Sequence, residues 1–366
     1  MRFRTAGVIV TSALCLTTSA CTARFHRPVD AGQFLLLVDS LGFGIKTLRW
    51  EPGSVPIEVS EVDLSFTPKT LAVHPTRNVV ALCLSGVATI QFFTVHPRTG
   101  VLTTAGSFAA PCNANGDVLV FHPTLPILYV GQSTMYQFLA IRVNEEGEVQ
   151  STQTYPLNSP NVDGTTLTVV PDGSALYVIG YLEHRIRAIP LGSDGVPSST
   201  TGTDYVPPTN EFPNIGVWSI ARDRLFVMML NSINLIPQIR VFTKDPSGAL
   251  TSVGATTNST ANTSYLAVHP EGEWAIVSDT GTDKLYFHRI SGDTLTLQTS
   301  LTVSPGDNPR RVVFNSVGDR FSVCHDTTQD LITYAFDSVT GSATQVARDH
   351  VAACSDMKLM RRVADI

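Results

Sequence analysis

An all-β fold built from one repeated unit is predicted by six copies of a short apolar strand that runs into a turn. Equivalent positions in the copies lie 46 to 51 residues apart. These positions are His74, His122, Val170, Ala221, His269 and Asn315. A period of about 40–50 residues made of short strands is typical of the blades of a β-propeller. Hydrophobic residues make up 43% of the chain and charged residues 15%, which suits short strands around a large core.

Each repeat predicts four strands. In the first complete copy these strands fall near 69–74, 78–85, 87–95 and 101–108. The third and fourth strands are joined by a turn that contains glycine, because tight hairpins need a residue with positive φ. His74, His122 and His269 each follow the first strand of their copy. We therefore expect them to form turns rather than a ligand site.

The two ends of the repeat region predict how the ring closes. Residues 33–66 contain three strands with no innermost strand before them, and residues 355–360 form one lone strand after the last complete copy. If the lone strand completes the first blade, the ring has seven four-stranded blades and no free edge. The sequence thus predicts a single seven-bladed propeller domain over 33–366.

The first 20 residues resemble an export signal. Arg2 and Arg4 precede an apolar run that is too short to span a bilayer. The run ends in Thr18-Ser19-Ala20-Cys21, which resembles a bacterial lipobox, with Cys21 as the lipidated residue. We expect a leader over 1–20, a tether over 21–32, and a protein anchored in the cell envelope, with the outer membrane favoured. Ordinary cleavage after Ala20 would instead release a soluble secreted protein.

The net charge argues against one class of partner. Without the leader, which holds two arginines and no acids, the chain has a formal charge of −8. A moderately acidic body gives no electrostatic reason to expect nucleic acid as a partner. The only membrane contact expected is through the lipid anchor.

Four cysteines follow the leader and the anchor residue Cys21, and their spacing repeats. Cys83 and Cys112 are 29 residues apart, and Cys324 and Cys354 are 30 apart. Each pair would join the second strand of one blade to the start of the next blade, at the same end of the ring. Disulfides 83–112 and 324–354 are favoured in an oxidising compartment, and four buried thiols are the alternative. No CxxC or HxxxH spacing occurs, so we expect neither a metal nor another cofactor.

Two stretches resemble the seven-bladed lactonase family, which includes 6-phosphogluconolactonase and the carboxymuconate-lactonizing enzymes. Residues 278–284 (SDTGTDK) resemble its D-L-G-x-D-R loop, and residues 305–314 (PGDNPRRVVF) resemble its P-G-x-G-P-R-H-x-x-F stretch. The resemblance extends over nearly all of 33–366. It implies the seven-bladed fold and lactone hydrolysis.

The chain departs from the family at several positions. Asn262-Thr263-Ser264 stands where the family has H-x-H, and Arg311 stands where it has histidine. His325-Asp326 replaces an Asn-Glu pair, so that Arg310 alone keeps its identity among the presumed catalytic positions. Part of the family's catalytic machinery is therefore absent from this chain.

Lactone hydrolysis needs a base that activates water and a donor that stabilises the developing oxyanion. His325 or Asp326 could be the base, and Arg310 or Arg311 could bind the oxyanion. Asp279 and Asp283 could orient a ligand. Alternatively, the acids and the histidine only bond the backbone of their own turns.

Two functions remain open at this point. The first is a lactonase-like enzyme of the envelope that hydrolyses a sugar or aromatic lactone. It predicts that Arg310, Arg311, His325 and Asp326 lie together at the mouth of the channel. The second is a tethered propeller without catalysis, which binds a protein or glycan through an exposed apolar patch.

Overall fold

The computed structural model describes residues 33–112, 118–132, 135–157, 166–181, 184–199, 201–231, 237–257, 263–304, 306–351 and 353–361. The expected leader, lipobox and tether lie outside these residues. So do Asn262 and Pro305, which belong to two of the stretches compared with the lactonase family. Within the described ranges, no helix has the length and apolar character needed to cross a membrane.

The described chain folds into seven antiparallel sheets of four strands, which we call blades 1 to 7. Blade 1 contains β28 (Cys354–Arg361), β1 (Gln33–Asp39), β2 (Gly44–Trp50) and β3 (Ile57–Asp63). Blade 2 contains β4 (Pro68–Val73), β5 (Val79–Leu84), β6 (Thr89–Val95) and β7 (Leu102–Ala109). Blade 3 contains β8 (Leu119–Phe121), β9 (Ile127–Gln132), β10 (Gln137–Val143) and β11 (Val149–Pro156).

The remaining blades repeat this order. Blade 4 contains β12 (Thr166–Val169), β13 (Ala175–Gly180), β14 (Arg185–Pro190) and β15 (Thr203–Tyr205). Blade 5 contains β16 (Glu211–Ser219), β17 (Arg224–Asn231), β18 (Gln238–Lys244) and β19 (Leu250–Thr257). Blade 6 contains β20 (Thr263–Val268), β21 (Trp274–Asp279), β22 (Lys284–Ser291) and β23 (Thr294–Thr302). Blade 7 contains β24 (Pro309–Phe314), β25 (Arg320–His325), β26 (Asp330–Asp337) and β27 (Ser342–His350).

The inner strands form a closed ring. Each inner strand contacts the inner strand of the next blade, from β4 through β24, and β24 contacts β28. β28 pairs antiparallel with β1, from Gln33 opposite Arg361 to Val38 opposite Asp356. The predicted seven-bladed propeller, closed by the last strand, is confirmed.

The antiparallel order sorts the loops between two ends of the ring. At the upper end lie the turns between the second and third strands and the connections between blades. At the lower end lie the turns between the first and second strands and between the third and fourth strands. Every residue predicted for catalysis or ligand binding therefore lies at or near the upper end.

Aromatic residues of the second strands link neighbouring blades. The Tyr129 hydroxyl donates to the Gly195 carbonyl at 2.5 Å, and the Tyr177 hydroxyl donates to the Gly248 carbonyl at 2.8 Å. Trp274 Nε1 donates to the Ser338 carbonyl at 2.7 Å. Each accepting carbonyl belongs to a lower-end turn of the following blade. In these three blades the aromatic residue of the second strand thus hydrogen-bonds to the following blade.

Two disulfides lie at the upper end. Cys83 is bonded to Cys112 with their Cα atoms 5.9 Å apart, and Cys324 is bonded to Cys354 with 5.8 Å between Cα atoms. The first bond joins β5 to the connection that leads into blade 3. The second joins β25 of blade 7 to β28, the strand that closes the ring, and so reinforces the closure covalently.

Candidate functional site

Arg310 and Asp326 form an ion pair at the upper end of blade 7. Arg310 lies in β24, and Asp326 begins the turn after β25. Arg310 Nη1 is 2.9 Å from Asp326 Oδ2, and the side chains are 53% and 36% exposed. Burial raises the pKa of Asp326 above its ordinary value, although the nearby Arg310 guanidinium opposes the shift. A cation and a carboxylate of raised basicity thus meet where solvent can reach both.

His325 lies next to Asp326 in sequence but in a different environment. Its side chain is fully buried, and Nδ1 is 3.8 Å from Oδ2 of the buried Asp307. Desolvation lowers the pKa of His325 to about 4. Neither ring nitrogen makes a well-formed hydrogen bond within the described part of the chain. His325 is therefore a neutral interior residue near pH 7.

An ion-pair cluster surrounds Asp307 in the same blade. Arg348 Nη2 is 3.4 Å from Asp307 Oδ1, and Arg348 Nε donates to Asp330 at 2.6 Å. His350 Nδ1 is 3.4 Å from the same Asp330 carboxyl group. Through Arg348, this cluster joins the outer strands of blade 7 to the loop before β24.

Arg311 points away from the Arg310–Asp326 pair. Its guanidinium lies over the Tyr265 ring, 4.5 Å from the ring centroid, and Nε is 3.4 Å from Oδ1 of the fully buried Asp356. Asp356 also accepts hydrogen bonds from the Thr70 hydroxyl at 2.9 Å and the Leu71 N–H at 3.0 Å. Tyr265, Arg311, Asp356 and Thr70 thus form one layer of polar side chains, which we call the polar tier. It crosses the inner strands of blades 6, 7, 1 and 2 at the seam, where the last strand closes the ring.

Asp356 was not predicted from the sequence to be a site residue. Its signal was an acidic residue inside the apolar closing strand, at the position where the other inner strands carry Thr70, Tyr265 and Arg311. Aligning the inner strands would have placed these side chains in one tier. A carboxylate between an arginine and a threonine would then have indicated a link across the ring closure.

Asp279 and Asp283 both bond backbone N–H groups. Asp279 Oδ1 accepts from Gly281 at 2.8 Å and from Thr282 at 3.1 Å within its own turn. Asp283 instead bonds the connection between blades 6 and 7. Its Oδ2 accepts from the Gly306 N–H at 2.7 Å, and its Oδ1 accepts from the Asn308 N–H at 2.9 Å.

The six predicted site residues thus fall into separate local arrangements. Arg310 contacts Asp326, Arg311 contacts Asp356 and His325 lies beside Asp307, while the two blade 6 aspartates bond the backbone. Among the described residues, no group of three or more histidine, cysteine, aspartate or glutamate side chains could hold a metal ion. The exposed Arg310–Asp326 pair is the arrangement that combines a base with a cation, as ester hydrolysis requires.

The described chain folds as a seven-bladed β-propeller, and comparison with known proteins shows a similarity to lactonases of this fold. Residues 234–366 match the family model described as "Lactonase, 7-bladed beta-propeller". The chain is 26% identical over 247 residues to a 6-phosphogluconolactonase of Serratia proteamaculans, a match that covers 63% of this chain and 70% of that protein. The resemblance inferred from the sequence motifs is confirmed.

A further relative and two solved structures extend the comparison. An uncharacterized protein of Staphylococcus saprophyticus is 27% identical over 84 residues, which span 23% of this chain and only 24% of that protein. A putative 6-phosphogluconolactonase from Bacteroides fragilis superposes with a TM-score of 0.75 at 14% identity, covering 91% of this chain and 99% of that one. The periplasmic gluconolactonase of Pseudomonas aeruginosa gives 0.74 at 16% identity, covering 91% and 100%. At these identities the structures establish a shared fold.

Proposed function

We propose that the protein hydrolyses a small sugar or aromatic lactone at the upper end of blade 7. The observation that carries this proposal is the solvent-accessible Arg310–Asp326 pair, with 2.9 Å between Nη1 and Oδ2. The similarity to 6-phosphogluconolactonases supports the reaction type. Asp326 is the base in this proposal, because His325 is buried and Arg311 lies beside Asp356.

The chemistry requires no group beyond these two side chains, water and substrate. Asp326 takes a proton from water while the water oxygen forms a bond to the lactone carbonyl carbon. Arg310 stabilises the negative charge that develops on the carbonyl oxygen. The ring C–O bond then breaks, and the proton passes from Asp326 to the departing oxygen. The product is the open-chain hydroxy acid, so the lactone gains one water molecule in total.

A panel of sugar and aromatic lactones, with their hydroxy acids, tests the proposal. Ligands that raise the unfolding temperature would be assayed for hydrolysis by acid release. We expect Asp326→Asn to lower kcat/KM by at least about 100-fold, the range typical of a lost general base. Asp337→Asn is the matched control, because within the described ranges the Asp337 carboxylate bonds only its own lower-end turn. Hydrolysis at an undiminished rate in Asp326→Asn would overturn the assignment.

We also propose that the protein is exported and anchored in the envelope through Cys21, with the outer membrane favoured. The two disulfides support an oxidising compartment, since such bonds persist in periplasmic and secreted proteins. Labelling with a radioactive fatty acid, followed by membrane fractionation, tests the proposal. The native chain should carry label in the outer-membrane fraction, and Cys21→Ala should be unlabelled. Label in neither chain would reject the anchor.

A patch of apolar side chains favours a second candidate function, the binding of an envelope protein or glycan without catalysis. Leu41 and Phe43, in the turn between β1 and β2, are 61% and 44% exposed, and Phe66, in the connection to blade 2, is 44% exposed. The Leu64 N–H donates to the Phe43 carbonyl at 2.6 Å, which brings the two segments together. If no lactone raises the unfolding temperature, Phe43→Ser and the native chain should be compared for retention of envelope proteins and glycans.

A further inference from the structure

Asp283 is a blade 6 residue whose carboxylate is directed at the neighbouring blade. It ends the turn between β21 and β22 with a φ of +52°, and its two oxygens accept the Gly306 and Asn308 N–H groups. The Val303 N–H also donates to the Asp283 carbonyl at 2.9 Å. One residue therefore holds the connection from β23 to β24 at three points.

That connection leads directly to the proposed catalytic pair. The Asp326 N–H donates to the Asn308 carbonyl at 3.2 Å, and the Asn308 amide contacts the Thr327 hydroxyl. Asn308 itself has a φ of +49°. A residue other than glycine in this left-handed region needs support from its surroundings, and the bond to Asp283 provides it.

A second contact from blade 6 fixes the arginine of the pair. The buried Ser278 hydroxyl donates to the Arg310 carbonyl at 2.5 Å. The backbone that carries Arg310 and the backbone that carries Asp326 are thus both tied to blade 6, one by Ser278 and the other through Asn308 by Asp283. A shift of the connection by a fraction of an ångström would change the distance between base and cation.

We infer that Asp283 is a positioning residue for the proposed lactone hydrolysis: it holds residues 306–308 so that Arg310 and Asp326 stay paired. The inference rests on the proposed function for its catalytic meaning. Because Asp283 engages both carboxylate oxygens with backbone N–H groups, it acts through the loop and not by contact with substrate. The ligand-binding role expected from the sequence is the alternative that the second test below distinguishes from this one.

The first test measures the coupling between Arg310 and Asp326 and does not depend on any substrate. The pKa of Asp326 would be followed by NMR in the full chain labelled with ¹³C-aspartate, with Asp326→Asn identifying the signal. Arg310→Gln should raise the pKa of Asp326 by about one unit or more, because the cation is lost. In an Asp283→Asn background the same substitution should raise that pKa by less than half as much.

Asp245→Asn is the matched control background. Asp245 also accepts backbone N–H bonds, from Ser247 at 2.8 Å and Ala249 at 2.9 Å, but in a lower-end turn of blade 5. In the Asp245→Asn background, Arg310→Gln should raise the pKa of Asp326 by as much as it does in the native chain. If Asp283→Asn does not fold, Asp283→Gly removes the carboxylate while permitting positive φ. An undiminished effect in the Asp283 variant would overturn the inference, whether or not a lactone is hydrolysed.

The second test uses a lactone that the native protein hydrolyses. Asp283→Asn should lower kcat by about tenfold or more with KM changed less than about twofold, since small displacements of catalytic groups cost rate rather than binding. A raised KM with an unchanged kcat would mean that Asp283 binds substrate, and would reject the positioning role. If no lactone is hydrolysed but the coupling result holds, the proposed function fails and the structural link from Asp283 to Arg310–Asp326 remains.

Discussion

His325 and Asp326 are consecutive residues with opposite environments. His325, the last residue of β25, faces the interior of blade 7 beside Asp307, whereas Asp326 begins the following turn and meets Arg310 in solvent. Desolvation disfavours the charged form of either group, so the pKa of the histidine falls and that of the aspartate rises. At neutral pH His325 is uncharged and inaccessible, and Asp326 is an ionised, accessible base.

The first prediction concerns the pH dependence of lactone hydrolysis. Asp326 must be ionised to act as a base, so activity should fall as pH decreases through its pKa, which burial holds above the ordinary 3.8. Arg310→Gln removes the positive charge that favours the carboxylate, and should therefore shift the acid limb of kcat/KM to higher pH. Profiles between pH 4 and 8 for both proteins measure the shift. A limb that moves to lower pH would contradict the assignment of the base.

The second prediction concerns His288 in the centre of β22. This residue is fully buried, and neither ring nitrogen makes a well-formed hydrogen bond within the described chain. A buried polar atom without a partner costs about 1–3 kcal/mol. We expect His288→Leu to raise the free energy of unfolding by roughly 1 kcal/mol, measured in urea at pH 7. A loss of stability of that size would show that the histidine is better accommodated than its contacts indicate.

At the scale of the element, the lower-end turn after each inner strand links one blade to the next. His74 Nε2 donates to the Leu125 carbonyl of blade 3 at 2.9 Å, and His269 Nε2 donates to the Gly318 carbonyl of blade 7 at 3.2 Å. In both rings Nδ1 accepts a backbone N–H from the residue two positions later. The neutral tautomer with hydrogen on Nε2 satisfies both bonds. Each of these histidines therefore stabilises its own turn and also hydrogen-bonds the neighbouring blade.

The third prediction uses the glycine that His269 contacts. Gly318 has a φ of +80°, and a Cβ there would lie 2.0 Å from His269 Nε2. Gly86 has a φ of +86° and open space around it. Gly86→Ala should cost about 1 kcal/mol from backbone strain, and Gly318→Ala should cost at least about 1 kcal/mol more because it also displaces the ring. Chemical denaturation of both variants measures the difference, and equal losses would argue against the tight packing of His269.

Much of the element pattern could be predicted from the sequence. The strands expected near 69–74 and 78–85 are β4 and β5, and the lone strand expected at 355–360 is β28, because alternation and turn residues are local signals. The carbonyl that each histidine bonds in the next blade was not predictable from the repeat alone. The alignment of the copies identifies equivalent residues, but it does not say which atoms of adjacent blades come into contact. A weak signal was present in Gly173 and Gly318, each about one repeat after a histidine.

The candidate site was less predictable for a physical reason. Topology alone placed Arg310, Arg311, His325 and Asp326 at one end of the ring. Which of these side chains reaches solvent depends on the packing of the loop before β24 and on the buried Asp307 and Asp356, both of which pair with charges from other strands. Such pairings between strands distant in the chain leave no local signature in the sequence.

At the scale of the whole molecule, buried histidines make stability depend on pH. Burial lowers the pKa of five histidines of the described chain. The pKa falls to about 4 for His74, His288 and His325, and it is also lowered for His122 and His269. In the unfolded chain these histidines bind protons near pH 6.5, whereas in the folded chain they bind protons only at lower pH. Their contribution to stability is therefore complete above pH 6.5 and is lost as pH falls toward 4.

The fourth prediction follows from this linkage. The urea concentration at half-unfolding should be nearly constant from pH 8 to 7 and should fall progressively between pH 6.5 and 4. His288→Leu removes one of the five groups without removing a link between blades, so its decline should be shallower than that of the native chain. Unfolding curves at intervals of half a pH unit measure both slopes. A midpoint that rises on acidification would contradict the assignment of these histidines as buried and neutral.

The pairing of Gln33 with Arg361 has a consequence for how this ring can be cut and rejoined. The two residues are register partners on adjacent strands of blade 1, so the two ends of the described chain lie side by side. A short linker between them would make the polypeptide circular without disturbing a blade. New termini could then be opened in an exposed turn far from the seam, such as the lower-end turn at Ser247. In such a rearranged chain β28 and β1 would be neighbours in sequence, so blade 1 would fold from one continuous segment. Blade 5 would instead be closed by pairing of the two new ends, β18 and β19.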